Sequence, residues 1–263
     1  MKIVIVGGGS AGWLTAASIL NQVPNSEVVL IDKDVPIPLG VGEATLIGFE
    51  PFLSNDCGFD SNEFLKELDV GLKGGILFPD WGYEGSKVWH PFTFKTFPFS
   101  DVQVPMIDAW SHCKDRDFQK LMVLYTTSMS NKVDKTALGD SYALHVDCLK
   151  VIKYIRNKIE DNIKFIKSEV KTIKRDASGN INTLILENGE KVSGDLFVDC
   201  TGFSSVLKDN KDRVDLSDRL YVNTALAGHI PYTNRKEQFK PYVNCPAVDS
   251  GWIWEIPLQS RIG

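Results

Sequence analysis

The chain has 263 residues, of which 43% are apolar and 24% are charged, as is ordinary for a soluble globular protein of one large domain or two small ones. The net charge of -5, with lysines and arginines scattered along the chain, argues against a general nucleic-acid binder.

The five cysteines and four histidines predict no metal site. The cysteines are widely spaced without a C-x-x-C, and the histidines lack ligand spacing such as H-x-x-x-H. We expect buried thiols in a reducing, cytoplasmic location. The apolar run at the N-terminus is broken by Gly7, Gly8 and Gly9, unlike a signal peptide. Because no apolar stretch approaches the ~20 residues that span a bilayer, we predict no membrane partner.

The first fifty residues predict a βαβ unit followed by a loop. Residues 2–6, KIVIV, are a β-branched apolar run typical of a strand buried on both faces of a parallel sheet. Helical spacing follows over 10–23, and a second buried strand is predicted within 26–34. Residues 35–45, rich in Pro and Gly, predict an ordered loop.

The middle of the chain alternates between predicted helices and strands. Residues 49–68 predict helical pieces around a turn, 74–83 and 87–99 predict strands, and 116–131 predict a helix. An amphipathic helix is predicted over 145–162, where apolar residues recur every three or four positions: Val146, Leu149, Ile152, Ile155 and Ile159.

The rest of the chain predicts mainly strands. Turn sequences at 176–180 and 187–191 divide strands, and the last of these, 195–200, is apolar enough to join the buried sheet. Residues 251–257, GWIWEIP, predict a strand that places Trp252, Trp254 and Ile256 on one face and closes at Pro257. One sheet is therefore expected from both ends of segment 1–205, with an inserted region between them.

The glycine loop between the first strand and helix predicts a dinucleotide site. Gly7 permits the tight turn, Gly9 lets the backbone approach a pyrophosphate, and Gly12 allows close packing of helix and strand. The helix N-terminus favours phosphate, and Asp32 ends the next strand, where it would accept ribose hydroxyls. The loop alone leaves NAD and FAD open. The chain has no second fingerprint for a nicotinamide, so electrons for an FAD would come from elsewhere.

Six stretches together resemble the flavin-dependent halogenases of the tryptophan halogenase type. They are GGGSAGW (7–13), GVGEAT (40–45), DVGLKGGILFPDW (69–81), YALHVDCLKVIKYI (142–155), LFVDCTGF (196–203) and GWIWEIP (251–257). The resemblance covers the whole chain. It implies a three-layer α/β, Rossmann-like FAD-binding fold of the flavin monooxygenase type with an inserted substrate-side region. We assign 1–50 and 140–205 to the FAD-binding domain, and 51–139 and 206–263 to the substrate and halide side.

The resemblance also implies a reaction. A separate flavin reductase would supply FADH2, and hypohalous acid would form at this flavin from O2 and halide. The acid would then pass to Lys73 for electrophilic halogenation of an aromatic, indole-like substrate. Lys73 would act as a hydrogen-bond donor, or as a haloamine if burial lowers its pKa; the sequence leaves both open.

The resemblance assigns further residues to the site. Trp252, Trp254, Ile256 and Pro257 would form a barrier between flavin and substrate, with His90 and Phe92 on the substrate side; Phe94, Phe97 and Phe99 would line the aryl pocket or pack in a core. The implied FAD-binding residues are Gly7, Gly9, Ser10, Ala11, Gly12, Asp32, Lys33, Leu39, Gly40, Val41, Ala44 and Val170.

Halogenases of this family continue beyond W-x-W-x-I-P with an assisting glutamate, more FAD contacts and much of the substrate pocket. We therefore expect the chain to be truncated, a fragment or one half of a split enzyme, with a homodimer partner or second polypeptide covering its Trp252–Ile256 face. Two other functions stay open: a flavoprotein hydroxylase, which the indoles should prevent by separating substrate from flavin, and a non-catalytic FAD-binding fragment.

Overall fold

The computed structural model describes residues 1–33, 42–92, 96–99, 102–105, 108, 111, 123–133, 141–208, 213–220 and 222–263. The chain forms two compact units. The first unit contains Met1–Gly40, Pro51–Leu68 and Cys148–Leu226, and the second unit contains Val41–Glu50, Asp69–Asp147 and Ala227–Gly263.

The elements are numbered in chain order. The helices are α1 (Ser10–Gln22), α2 (Phe49–Pro51), a π-helical turn (Phe52–Asp56), α3 (Ser61–Glu67), α4 (Val123–Met129), α5 (Cys148–Ile159) and α6 (Arg235–Gln238), with 3-10 turns at Glu160–Asn162 and Gly202–Ser204. The strands are β1 (Lys2–Val6), β2 (Glu27–Asp32), β3 (Gly42–Ala44), β4 (Gly71–Lys73), β5 (Gly75–Pro79), β6 (Lys87–Pro91), β7 (Thr96–Phe99), β8 (Val102–Pro105), β9 (Ala143–Asp147), β10 (Lys164–Lys167), β11 (Val170–Arg175), β12 (Ile181–Leu186), β13 (Lys191–Ser193), β14 (Leu196–Asp199), β15 (Ile230–Pro231), β16 (Val243–Asn244), β17 (Ala247–Val248), β18 (Gly251–Trp252) and β19 (Arg261–Ile262).

The first unit has three layers. Its central sheet is parallel with the order β10–β2–β1–β14, as the buried runs at 2–6 and 26–34 predict. One face, which includes Val4 and Ile31, packs on the antiparallel sheet β11–β12–β13 through Leu184 and Leu186. α1 and α5 contact each other and form the remaining layer, where Trp13 stacks on Phe165 with ring centroids 6.0 Å apart. The predicted α/β class is confirmed.

The second unit is built from short antiparallel strands. β9 is the centre of the sheet β3–β9–β4, and β5 pairs with β6 and, in parallel, with β16. Smaller pairs join β7 with β8, β15 with β19, and β17 with β18. Short pairings of this kind depend on contacts between distant parts of the chain.

The predicted domain boundaries differ from the observed units in four segments: 41–50 and 141–147 lie in the second unit instead of the first, and 51–68 and 206–226 lie in the first unit instead of the second. Residues 51–68 lie in the first unit, because the Asn21 side chain donates to the carbonyls of Asn55 and Asp56 at 3.1 Å and Lys158 forms an ion pair with Glu63. Residues 141–147 lie in the second unit, because β9 pairs with β3 and β4. The assignment of a function to either unit stays a prediction.

The helix predicted over 145–162 is wrong at its start. Residues 145–147 belong to β9, and α5 begins at Cys148. Its buried face carries Cys148, Val151, Tyr154, Ile155 and Ile159, whereas Leu149 is 40% exposed. Val146 is buried by strand pairing, so its spacing from Leu149 only imitates a helical repeat.

The loop predicted over 35–45 contains a strand. Gly42–Ala44 pair with β9, although Gly and Ala have low strand propensity; residues 34–41 lie outside the described residues. The helix predicted over 116–131 is present at Val123–Met129, and positions 116–122 also lie outside the described ranges. β14 joins the central sheet as predicted but at its edge, so Leu196 is 48% exposed.

The continuous strand predicted over 251–257 is also wrong. β18 ends at Trp252, after which Ile253 donates to the Pro246 carbonyl and Glu255 bridges to Asn244. Both contacts keep the antiparallel register of the Ala247–Trp252 pair, and the hydrogen-bonding partner changes at Ile256, which donates to the Gly263 carbonyl. Regular alternation ends there. Trp252 and Trp254 are 41% and 45% exposed.

Candidate functional site

The glycine loop of the first unit has the tight geometry that its sequence predicts. Gly7 has φ +105°, and a Cβ there would lie 2.4 Å from the Cys200 carbonyl oxygen. A Cβ on Gly12 would lie 1.8 Å from the Gly7 oxygen, so neither position accepts a side chain. A Cβ on Gly9 would meet nothing within 4 Å. The loop is therefore packed against protein at Gly7 and Gly12 and open at Gly9.

The N-terminus of α1 is open to an anion. Gly9 is the N-cap and provides no side-chain hydrogen bond, so Ser10 and Ala11 begin the helix without a side-chain cap. Helix N-terminal N–H groups of this kind favour phosphate. Asp32 ends β2, and its Oδ1 accepts the Gly8 N–H at 2.9 Å, which fixes the loop against the strand end.

A cleft of about 370 Å³ lies at the carboxyl ends of the parallel strands, within the range of small-molecule sites. The structure brings five predicted residues to its lining: Gly7, Gly9, Asp32, Lys33 and Val170. Lys33 forms an ion pair with Glu169 at 3.7 Å. Leu39, Gly40 and Val41 lie outside the described residues.

The cleft also contains residues that the sequence analysis did not assign to the site. They are Gly8, Glu169, Cys200, Thr201, Gly202, Ser204 and Val206, together with Val6, Ile31 and Ser168. A signal for the group at 200–206 exists, because a Thr-Gly follows one residue after β14, an edge strand of the same parallel sheet. Glu169 lies before β11 and gives no such signal.

Lys73 is a buried charged residue of the second unit. Its side chain lies on β4 and the residue is 2% exposed. Nζ donates to the Thr45 carbonyl at 3.1 Å and lies 4.9 Å from the centroid of the Phe92 ring. Burial lowers the pKa of Lys73 from 10.5 to about 8. A substantial share of the amine is therefore available in neutral form at mildly alkaline pH.

Lys73 lies on a sheet face of small residues. It pairs with Ala143 on β9, and His145 on the same strand lies between Gly71 of β4 and Ala44 of β3. Directly paired residues share a face in an antiparallel sheet, as do residues two apart. Lys73 therefore extends from the β4 edge across Ala143 to the end of β3, where it reaches Thr45.

Thr45 is held firmly where it receives Lys73. Its N–H donates to the Leu144 carbonyl at 2.8 Å, and its hydroxyl Oγ1 accepts the Leu144 N–H at 2.9 Å. The carbonyl that binds the ammonium is thus fixed by two further hydrogen bonds to β9. Thr45 is not among the site residues predicted from the sequence, although it ends the stretch GVGEAT at 40–45.

His145 is the second buried titratable group on this face. It is 1% exposed, and neither ring nitrogen has a hydrogen-bond partner among the described residues. Burial, followed by the nearby Lys73 charge, lowers the pKa of His145 to about 3. The Pro257 carbonyl opposes this shift, but its contact with the ring is too poor in geometry to count as a hydrogen bond. The imidazole is neutral at physiological pH.

The predicted barrier residues occupy two places in the second unit. Trp252 and Trp254 join an aromatic cluster with Phe78 and Trp81, in which the Trp81–Trp252 and Phe78–Trp254 centroids are 5.7 and 6.4 Å apart. Trp81 Nε1 donates to the Cys245 carbonyl at 2.8 Å.

Ile256 and Pro257 lie instead at the sheet β3–β9–β4. A Cβ on Gly42 would stand 3.2 Å from the Ile256 side chain, and the Pro257 carbonyl oxygen lies 3.5 Å from where a Gly71 Cβ would be. This segment therefore covers the face that carries His145.

The two substrate-side residues differ in their surroundings. Phe92 is half-buried beside Lys73, whereas His90 is exposed on β6. Phe94 lies outside the described residues, as do the side chains of Phe97 and Phe99. Within the described ranges no helix has the length and apolarity needed to cross a membrane.

The first unit's cleft fits an FAD by its own chemistry. It combines an uncapped helix N-terminus for the pyrophosphate, an open position at Gly9 where a backbone must approach it, and a carboxylate at Asp32 for ribose hydroxyls. These features suit the adenosine diphosphate part of a dinucleotide.

Comparisons with known proteins identify one family. A family model described as tryptophan halogenase matches residues 2–263. The chain is 29% identical over 288 residues to tryptophan 6-halogenase ThaL of Streptomyces albogriseolus, covering 99% of this chain and 54% of the relative. It is 26% identical over 291 residues to tryptophan 7-halogenase RebH of Lentzea aerocolonigenes, covering 100% and 54%.

Solved structures agree with these matches. Xcc4156, a flavin-dependent halogenase from Xanthomonas campestris, has a TM-score of 0.88 at 27% identity, with 100% of this chain and 54% of that chain covered. Tryptophan 6-halogenase SttH from Streptomyces toxytricini has a TM-score of 0.86 at 27% identity, with 100% and 56% covered. The chain spans about half the length of the curated relatives it matches.

Proposed function

Because the chain belongs to the tryptophan halogenase family, we propose that it takes part in FADH2-dependent halogenation of an aromatic, indole-like substrate. Membership confirms the resemblance drawn from the six sequence stretches, and the solved halogenases confirm the fold class. The observation that carries the proposal is the buried Lys73 ammonium, which lies in the stretch that resembles the family's lysine segment.

The cleft of the first unit is the proposed flavin site. The α1 N-terminus and Gly9 would hold the pyrophosphate, and Asp32 would hold the ribose while it fixes the Gly8 N–H. Lys33 and Val170 line the same cleft. When bound and reduced, FAD would supply the electrons with which O2 and halide are converted to hypohalous acid. A separate flavin reductase would deliver FADH2, since the sequence shows one dinucleotide fingerprint.

Lys73 would receive the oxidant. Because the Thr45 carbonyl accepts a hydrogen bond from the Lys73 ammonium and the Phe92 ring lies beside the charge, Lys73 is oriented before any ligand arrives. An oriented donor needs little reorganisation when it polarises a hypohalous acid. Its pKa of about 8 keeps the ammonium form predominant at pH 7, which favours hydrogen-bond donation over a haloamine at that pH.

The GWIWEIP stretch at 251–257, which carries Trp252 and Trp254, supports a halogenase over a hydroxylase through its resemblance to the family. Indoles that separate a flavin from an organic substrate would leave halide as the group that meets the oxidant. The names of the relatives, tryptophan 6-halogenase and tryptophan 7-halogenase, favour the same conclusion and suggest an indole ring as substrate.

Mass spectrometry of a complete reaction tests the proposal. The 263-residue chain is incubated with FAD, a flavin reductase, NADH, bromide and a panel of aromatics that includes tryptophan. We expect a product heavier by one bromine that requires bromide, FAD and NADH. A hydroxylated product that forms without bromide would favour the hydroxylase, and FAD binding without any product would favour a non-catalytic fragment.

A further inference from the structure

His145 has hydrogen-bonding capacity that the proposed reaction leaves unused. The imidazole is 1% exposed, yet both nitrogens lack a hydrogen-bond partner among the described residues. A buried polar group left unpaired costs about 1–3 kcal/mol. Such a cost is tolerated where a small molecule completes the hydrogen bonds, so His145 marks a place for one.

The place lies beside Lys73. Because Lys73 pairs with Ala143 and His145 is two residues along the same strand, both side chains rise from one face of the sheet. The neighbouring positions on that face are the small residues Gly71, Ala44 and Ala143. The His145 ring and the Pro257 carbonyl lie over Gly71, so a ligand of His145 would lie on the side of Ala44 and Ala143, which Lys73 crosses to reach Thr45.

The two groups offer different chemistry. The Thr45 carbonyl accepts a hydrogen bond from one of the three N–H groups of the Lys73 ammonium, and the Phe92 ring interacts with the charge. Nζ therefore keeps N–H groups that can donate to a ligand. A neutral imidazole has one N–H donor and one acceptor nitrogen. Nδ1 and the Pro257 oxygen both lie over Gly71, 3.6 and 3.5 Å from where its Cβ would stand, and the Pro257 carbonyl acts to raise the pKa of His145 without forming a full hydrogen bond. The proton is assigned to Nδ1 on that basis, which makes Nε2 the acceptor.

We propose that His145, a residue with no role in the function proposed above, is the acceptor that orients hypohalous acid at Lys73: the Lys73 ammonium donates to the oxygen of H–O–X, and the O–H donates to Nε2 of His145. The inference rests on the proposed function. A halide ion cannot fill this place in the same way, because it has no hydrogen to donate. Water can, and we expect it to fill the same place when the oxidant is absent.

The arrangement assigns each proton in the halogen transfer. The halogen moves to the aromatic carbon while the electron pair of the O–X bond stays on oxygen. Oxygen takes one proton from the Lys73 ammonium and leaves as water, and the proton released from the ring carbon returns to the Lys73 amine. The sum is HOX + ArH → ArX + H2O, and His145 remains neutral throughout.

Charged groups around His145 agree with a neutral ring. From β4 the facing group is Lys73, and farther along β9 Asp147 is paired with Arg261 at 2.8 Å. From β3, Glu43 pairs with Val146 and projects from the opposite face. The covering segment at 256–258 carries no titratable side chain.

The role of His145 is tested by measuring how much hypohalous acid ends in halogenated product and how much escapes into solution. Reactions with wild type, His145→Leu, His145→Gln and the exposed-histidine control His229→Gln are followed for halogenated product and for free hypohalous acid caught by a thiol dye. We expect His145→Leu to lower product per flavin oxidised at least tenfold and to raise free oxidant. His145→Gln, which keeps an acceptor, should recover to within about threefold of wild type, and His229→Gln should match wild type.

If the His145 variants change the total amount of hypohalous acid formed but not the ratio of halogenated product to free acid, His145 is a structural residue and the inference is overturned. The inference is also overturned if His145→Leu has the same ratio as wild type. If His145→Leu does not fold, His145→Gln carries the test against His145→Asn, whose shorter side chain should retain the acceptor but misplace it.

Two measurements do not depend on turnover. In ¹⁵N NMR of the histidine side chains, His145 should be neutral at pH 5 with its proton on Nδ1. Lys73→Met should raise the pKa of His145, because it removes the nearby positive charge. A crystal structure should place a water oxygen within hydrogen-bond distance, about 3.2 Å, of both Lys73 Nζ and His145 Nε2. A protonated ring at pH 5, or the absence of that water in a well-ordered site, would overturn the inference. If wild type makes no halogenated product, the proposed function fails while these two measurements still decide the role of His145.

Discussion

The cleft of the first unit and the Lys73 site of the second unit are built in opposite ways. The cleft takes its main features from one contiguous stretch, the loop Gly7–Gly12 between β1 and α1, with Asp32 at the end of the next strand. The Lys73 site collects groups from four separated positions in the chain: Thr45, Lys73, Phe92 and His145.

The difference shows that one kind of site depends on local sequence and the other depends on the tertiary fold. Backbone N–H groups at an open helix N-terminus favour phosphate whatever side chains surround them, so a local sequence can specify such a site. A buried ammonium needs distant partners to fix it and to shift its pKa, since an isolated lysine is solvated and flexible. The first site is a backbone site, and the second is a side-chain site.

The strongest test of that comparison is Lys73→Met, which removes the charge and keeps an unbranched apolar side chain. We expect halogenated product to fall by at least about 10²-fold, as for loss of a positioned proton donor, with the Kd for FAD unchanged within about twofold. Product is measured by mass spectrometry and FAD binding by fluorescence. Lys132→Met, at an exposed lysine of the same unit, is the control. Equal losses of FAD binding and product would contradict the assignment of separate roles.

The pH dependence of stability isolates the burial of Lys73. Below pH 8 both the folded and the unfolded chain keep the proton, and folding bears the full cost of burying the charge. Between pH 8 and 10.5 the unfolded chain still binds the proton that the folded chain has lost, so stability rises with pH. The free energy of unfolding of wild type relative to Lys73→Met should therefore rise by about 3 kcal/mol in total. Urea denaturation from pH 7 to pH 10 follows most of this rise, and a flat difference would mean an unshifted lysine.

Gly9→Ala tests the cleft as a backbone site. The added methyl meets no protein atom within 4 Å and the backbone angle suits alanine, so stability should be unchanged. It would stand where the pyrophosphate approaches, and we expect the Kd for FAD to rise at least about tenfold, or 1.4 kcal/mol. Gly48→Ala, which is equally open in the second unit, is the matched control. Unchanged FAD affinity for Gly9→Ala would place the cofactor elsewhere.

Trp81→Phe has the smallest expected effect. It keeps an aromatic ring beside Phe78 and Trp252 but removes the Nε1–H that donates to the Cys245 carbonyl. The free energy of unfolding should fall by roughly 1 kcal/mol, the usual net value of one hydrogen bond. Urea denaturation measures it against Tyr83→Phe at a residue that is 76% exposed, where no loss is expected. Equal values for the two variants would mean that the indole bond contributes no stability.

The elements of the first unit were predictable because each carries its own signal. Buried β-branched runs predict β1 and β2, the glycine spacing predicts the turn into α1, and turn sequences separate β11, β12 and β13. The errors fall where strand and helix meet or where pairing is brief. Val146 sits at helical spacing from Leu149 yet lies on β9, and Gly42–Ala44 form a strand without any strand propensity.

The sequence determined the α/β class and the glycine loop with Asp32, and its resemblance to the halogenases singled out Lys73 as the residue of interest. The tertiary structure alone decided that His145 shares a sheet face with Lys73, that the Thr45 carbonyl binds Lys73 and that β18 ends before Trp254. The physical reason is range. Turns and helix termini are set by neighbours in the chain, whereas burial, a shifted pKa and the pairing of two-residue strands depend on residues far apart in sequence that folding brings together.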